Sequence, residues 1–225
     1  MVCDIHGVKN LISAAIFECA PPRLAEKIHS RLAICLVAEQ IADDASAYLR
    51  KDPAMRSDPW SLYNACSSFR AVLHYRLARA IHEIANTSAE HDNDLRSVCA
   101  LVSSRGKLLS GAELHVGAQI GRRFVLDHGY GTVIGETAEI GDDCYMLGGV
   151  TIGAVGISGN PAGKRHPTIG CRVEIGAFAR VLGAVRIGDD VFIGSHCVIT
   201  DDIPGGSRVV VKTANQVTRL RAAIA

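Results

Sequence analysis

Aliphatic residues recur at every sixth position through much of the second half of the chain. They stand at Leu114, Ile120 and Leu126, then at Ile134, Ile140, Met146 and Ile152, and again at Ile169, Ile175, Val181, Ile187, Ile193 and Ile199. At most of these positions the next residue is glycine. A period of six fits neither the 3.6-residue repeat of a helix nor the alternation of a strand with one buried face. It is the repeat of a parallel β-helix built from hexapeptides, each forming one side of a triangular coil. The aliphatic side chain is expected to point into the prism and stack on its counterpart in the next coil. The glycine after it is expected at a tight corner, where its freedom of dihedral angle would be needed. Thirteen beats make a little over four coils.

The first half follows a helical rhythm. After Pro21-Pro22, the residues Leu24, Ile28, Leu32, Leu36 and Ile41 predict one helix from Arg23 to Leu49, stopped by Lys51-Asp52-Pro53. Asp58-Pro59 reads as an N-cap followed by a proline in the first turn, opening a helix from Trp60 to about Asn86. A third segment runs from Asp94 to about Ser104 and ends near Gly106. The predicted class is α+β: an α-helical domain over 1–110, a left-handed parallel β-helix over 111–205, and a tail over 206–225 holding a strand and a short helix.

Two interruptions of the beat point to function. Between Leu126 and Ile134 the spacing is eight, so two extra residues bulge out directly after Asp127-His128. Between Ile152 and Ile169 it is seventeen, and the excess is a Gly- and Pro-rich stretch ending in Lys164-Arg165-His166-Pro167. Such a stretch must leave the prism, and loops on a rigid scaffold are where binding groups concentrate. His128 has the side chain suited to a general base near neutrality. Arg165 offers a planar fork for a carboxylate or phosphate.

Composition narrows the classes. Lysine and arginine number 24 against 23 acidic residues, so no nucleic-acid partner is expected. No run approaches the ~18 apolar residues of a membrane span, and the first residues lack the basic segment of a secretory leader. The eight cysteines are scattered with no Cys-x-x-Cys pair, which predicts small buried hydrophobes in a reducing cytoplasm, without a disulfide framework or a structural zinc site. His115, His128 and His166 are the only trio that could serve a zinc hydratase on the same scaffold.

Together, Leu126-Asp127-His128, Gly135-Glu136-Thr137-Ala138, Gly148-Gly149-Val150-Thr151-Ile152-Gly153 and Arg165-His166-Pro167 resemble the serine O-acetyltransferases. The likeness extends back to Asp52-Pro53-Ala54 and His74-Tyr75-Arg76. It implies transfer of acetyl from acetyl-CoA to L-serine or a similar hydroxy amino acid such as homoserine, with His128 as the base and no metal. It further implies that Glu113, from the string Glu113-Leu114-His115, orients His128. Asp52 and Asp127 would hold the amino group of the acceptor, and Arg165 and His166 its carboxylate. Acetyl-CoA would lie against the small residues Ala154, Ala177 and Ser195. The implied assembly is a homotrimer or a dimer of trimers. The chain closes on Ala222-Ala223-Ile224-Ala225 without the terminal isoleucine by which family members dock on cysteine synthase, so no such complex is expected.

Overall fold

The computed structural model describes residues 4–55, 58–87, 92–160 and 162–212, which form six helices and fourteen short strands. The helices are α1 (Ile5–Cys19), α2 (Pro22–Arg31), α3 (Ile34–Lys51), α4 (Pro59–Ala65), α5 (Ser67–Thr87) and α6 (Asn93–Ser110). The single helix expected over 23–49 is two, because Leu32 turns extended (ψ 126°) while its amide still bonds Ile28 O. The helix expected from Trp60 is likewise split at Cys66. The leading segment, not assigned from sequence, is α1, capped by the Asp4 carboxylate on the His6 amide and burying Val8, Ile12, Ala15 and Ile16. Gly106 does not end α6. The helix continues to Ser110 and stops at Gly111, whose φ of 71° is the left-handed C-cap that glycine favours.

Each of the thirteen aliphatic beats lies in its own strand, β1 to β13, and the strands form three parallel faces. The first face holds β1 (Glu113–Leu114), β4 (Val133–Ile134), β7 (Thr151–Gly153), β10 (Arg180–Leu182) and β13 (Val198–Ile199). The second holds β2 (Gln119–Ile120), β5 (Glu139–Ile140), β8 (Thr168–Ile169) and β11 (Arg186–Ile187). The third holds β3 (Val125–Leu126), β6 (Tyr145–Met146), β9 (Glu174–Ile175), β12 (Phe192–Ile193) and β14 (Arg208–Val209). The beats stack in register, Leu126 beside Met146, Met146 beside Ile175 and Ile175 beside Ile193. The strand expected in the tail is therefore β14, paired with β12 inside the prism. The short helix expected after it falls on 213–225, outside the described residues.

The glycines after the beats have a different cause from the one expected. Gly121, Gly141, Gly170, Gly176 and Gly188 do not have positive φ. They are required because the next coil is too close for a side chain: a Cβ at Gly141 would stand 2.7 Å from Gly170 C, and one at Gly170 2.8 Å from Gly188 C. The left-handed corners come three residues after a beat and are filled by Arg123, Asp143, Phe178, Arg172, Asp190 and His196. Between the second and third faces these corners form charged rungs, Arg123 with Asp143 and Arg172 with Asp190, each at 2.7 Å.

The helices close the first coil, whose outer edge would otherwise present unpaired backbone groups. Tyr75 Oη donates to Ala118 O (2.6 Å) and accepts from Ile120 N (3.2 Å). Arg76 donates to Ile120 O and Gly121 O, and Asp44 accepts from Phe124 N at 2.9 Å. Tyr48 takes both backbone groups of Leu126. This closure fixes α3 and α5 against the coil that carries Asp127 and His128.

Candidate active site

The first cluster lies on the edge leading from the third face to the first. The extra residues after Leu126 form a tight turn in which Gly129 N donates to Asp127 O (2.7 Å) and Tyr130 N to His128 O (2.9 Å). His128 takes a left-handed φ of 61°, which turns its imidazole outward, where 80% of the side chain is exposed. Gly129 sits against α5, since a Cβ there would come within 3.0 Å of Ser68 Cβ. Asp127 is mostly buried. Its Oδ2 accepts from Tyr145 Oη at 2.8 Å, and its Oδ1 lies 3.8 Å from His128 Nε2. Asp52 is the C-cap of α3, buried, with Oδ1 accepting from Ala54 N. Asp52, Pro53, Met55, Cys66, Ser68, Asp127 and His128 line one recess of about 460 Å³.

The second cluster lies on the other edge of the first face, where it leads to the second. Thr137 organises it. Its Oγ1 accepts from the backbone amides of Arg165 (3.0 Å) and His166 (3.1 Å), tying down the end of the long loop. The Thr137 amide donates to His166 Nδ1 (3.1 Å), so that nitrogen is bare and the neutral ring carries its proton on Nε2. Burial, then the charge of Arg165, pulls the His166 pKa below its ordinary value, favouring this neutral form. Arg165 pairs with Glu136, whose carboxyl that bond holds below the usual range. The His166 ring lies over Gly135.

Asp52, Asp127 and His128 are thus brought together, and Arg165 and His166 are brought together, on two edges of one face. Within one chain Glu113 does not reach His128; its carboxylate is paired with Lys107 in the last turn of α6. His115 and His166 share the second edge, away from His128. The expected acetyl-CoA contacts divide in the same way. Ala177 and Ser195 follow β9 and β12 on the edge above His128, whereas Ala154 follows β7 on the edge of Arg165. Beside Ala177 and Ser195, Phe178 and His196 stack with ring centroids 5.3 Å apart.

Three contributors were absent from the sequence-based site. Thr137 and Glu136 lie in the Gly135-Glu136-Thr137-Ala138 string, so their signal was present without a role attached. Tyr145 stands just before a beat, an outward position that carries no signal of its own. Burial pushes the thiols of Cys99 and Cys144 up to about 11, but the expectation of buried cysteines holds only for Cys66, Cys99, Cys144 and Cys197, since Cys35 is exposed and Cys19 and Cys171 are half-buried. Among the described residues no helix is long and apolar enough to cross a membrane.

Known proteins share the fold. Residues 166–201 match the family model "Bacterial transferase hexapeptide (six repeats)". The serine acetyltransferase of Helicobacter pylori is 42% identical over 173 residues, covering 77% of this chain and 94% of that protein. The structure of Neisseria gonorrhoeae serine acetyltransferase superimposes with a TM-score of 0.77 at 28% identity, over 96% of this chain and 81% of that one. Soybean serine acetyltransferase complexed with serine gives 0.74 at 26% identity, over 93% and 83%. With this β-helix and this degree of identity over nearly the whole of a relative, the chain belongs to the serine acetyltransferase family, acyltransferases of the hexapeptide class.

Proposed function

We propose that the protein transfers acetyl from acetyl-CoA to the hydroxyl of L-serine by direct attack, releasing O-acetyl-L-serine and CoA. The observation that carries this reading is the placement of an exposed imidazole, His128, at the mouth of a recess walled by Asp52 and Asp127. His128 takes the hydroxyl proton as the serine oxygen bonds to the thioester carbonyl carbon. The carbon–sulfur bond then breaks, and the proton passes from the imidazolium to the departing thiolate. Such proton transfer contributes about 10²–10⁴ in rate. The two carboxylates suit the ammonium group of the amino acid. The guanidinium of Arg165 and the Nε2–H of His166 suit its carboxylate.

Because these two groups occupy separate edges of one prism face, a complete site needs two chains side by side, each offering a different edge. A homotrimer, alone or paired through the helical domain (residues 1–110), meets that need. In it Glu113 of one chain orients His128 of its neighbour, and acetyl-CoA runs along Ala177 and Ser195 with Ala154 supplied from the facing edge. The free cysteines among the described residues fit a cytoplasmic enzyme.

The test is release of CoA thiol from acetyl-CoA with L-serine, L-homoserine, L-threonine or no acceptor. Serine-dependent release that falls at least about 100-fold in His128→Ala is expected. Release with another acceptor alone would replace serine, and turnover retained in His128→Ala would remove the base from the mechanism.

A further inference from the structure

Tyr145 lies one coil above Val125, in register with it on the third face, at a position pointing out of the prism. An outward tyrosine there would ordinarily meet water. Instead the helical domain covers part of it, and the half-buried ring packs against the helical core. Its hydroxyl is aimed at a single acceptor, Asp127 Oδ2, at 2.8 Å. The end of α3 passes over the same place: Lys51 Nζ donates to Asp143 O, and Asp52 follows directly. Tyr145 therefore stands beside both carboxylates of the recess.

We propose that Tyr145 is a positioning residue that holds Asp127 in a one-sided presentation, with Oδ2 occupied by the phenol and Oδ1 left for the acceptor's ammonium group. A carboxylate hydrogen-bonded at one oxygen keeps its plane. Without the phenol, Asp127 is free to turn about its side chain and close the 3.8 Å separation from His128 Nε2. That closure would consume both groups at once. The acid would be lost to the ammonium, and the base would be stabilised as imidazolium. The phenol is a permanent donor in this role, because burial, the bond to Asp127 and the charges of Asp127, Asp52 and Glu174 push its pKa well above the ordinary tyrosine value.

This inference rests on the acetyl-transfer reading of His128 and Asp127, and Tyr145→Phe tests it with the ring retained. Removing a hydrogen bond to a charged group predicts a rise of about tenfold or more in KM for serine. KM for acetyl-CoA should stay at its wild-type value. The His128 imidazole, followed by NMR in the substrate-free protein, should titrate at higher pH in the variant. An unmoved His128 titration overturns the inference, as does a parallel rise in both KM values, which is the mark of a structural role alone. If the wild-type protein fails to acetylate serine, the acetyl-transfer reading falls by itself, and the His128 titration still decides whether Tyr145 keeps Asp127 away from the imidazole.

Discussion

The hydroxyl of Tyr48 clasps Leu126, donating to its carbonyl at 2.8 Å and accepting from its amide at 3.0 Å. Leu126 is the residue before Asp127, and Tyr48 stands one helical turn before Asp52, so one phenol sets the two acids of the recess relative to each other. In Tyr48→Phe two buried backbone groups lose their partner, each with a desolvation penalty of about 1–3 kcal/mol. We expect a loss of roughly 2 kcal/mol in urea unfolding, together with a raised KM for serine. Full stability in Tyr48→Phe would show that the clasp does not hold α3 on the first coil.

Gly135 and His166 form a second close pair. A Cβ at 135 would lie 2.1 Å from the ring Nε2, and the ring cannot simply swing aside because Thr137 holds its Nδ1. Gly135→Ala should therefore displace His166 by an ångström or more. Misplacement on that scale costs about 100-fold in rate, and forcing the buried ring aside costs about 1–3 kcal/mol in stability. Kinetics beside a melting curve check this, and wild-type kcat/KM for serine in Gly135→Ala would remove His166 from the acceptor site.

Much of this architecture was legible because a six-residue period has only one structural reading, and every beat from Leu114 to Ile199 falls in a strand. The glycines beside the beats are obligatory for a reason the sequence does not carry, since it cannot distinguish a strained dihedral from a neighbouring coil that an added Cβ would meet at 2.7 Å. The breaks at Leu32 and Cys66 carry neither glycine nor proline, so apolar spacing ran straight through them. Asp127 and His128 announced themselves through the bulge they open. The division of the site between two edges has no signal in the spacing itself, because it depends on how three faces fold together. The Glu113–Lys107 pair was hidden for a related reason: it spans the turn from α6 into β1, a junction with no periodicity of its own.

The ion pair of Arg76 with Asp44 is fully buried, with Nε 2.8 Å from Oδ2, and both partners also serve the first coil. Removing one partner of a buried pair costs about 3–5 kcal/mol. Arg76→Met should meet or exceed that figure, because the carbonyls of Ile120 and Gly121 are orphaned as well. An isolated buried pair can often be replaced by apolar residues without loss. Here the double variant Asp44→Leu/Arg76→Met should stay destabilised, since those carbonyls and the Phe124 amide remain unpaired. Recovery of wild-type stability in the double variant, measured by denaturant unfolding, would show that the pair is not needed to close the coil.

His74 makes the fold sensitive to acid. It is fully buried on α5, its Nδ1 bonds Arg70 O at 2.7 Å, and its Nε2 has no partner among the described residues. Gly106 of α6 lies directly on it, where a Cβ would come within 2.7 Å of His74 Cβ. Burial lowers its pKa; the Arg70 carbonyl and the charge of Glu18 act against that shift, and the charges of Arg70 and Arg105 act with it. An unfolded histidine titrates near ~6.5. Below that value the unfolded chain binds a proton that the folded one refuses, so stability falls as pH drops from about 6.5 toward the lower folded pKa. His74→Phe keeps a ring against Gly106 and removes the titration. The expected result is a flatter dependence of the urea midpoint between about pH 6.5 and 5 than in the wild type, with His166 supplying the remaining slope. Identical slopes in the two proteins would show that His74 is not the residue through which acid loosens the helical domain.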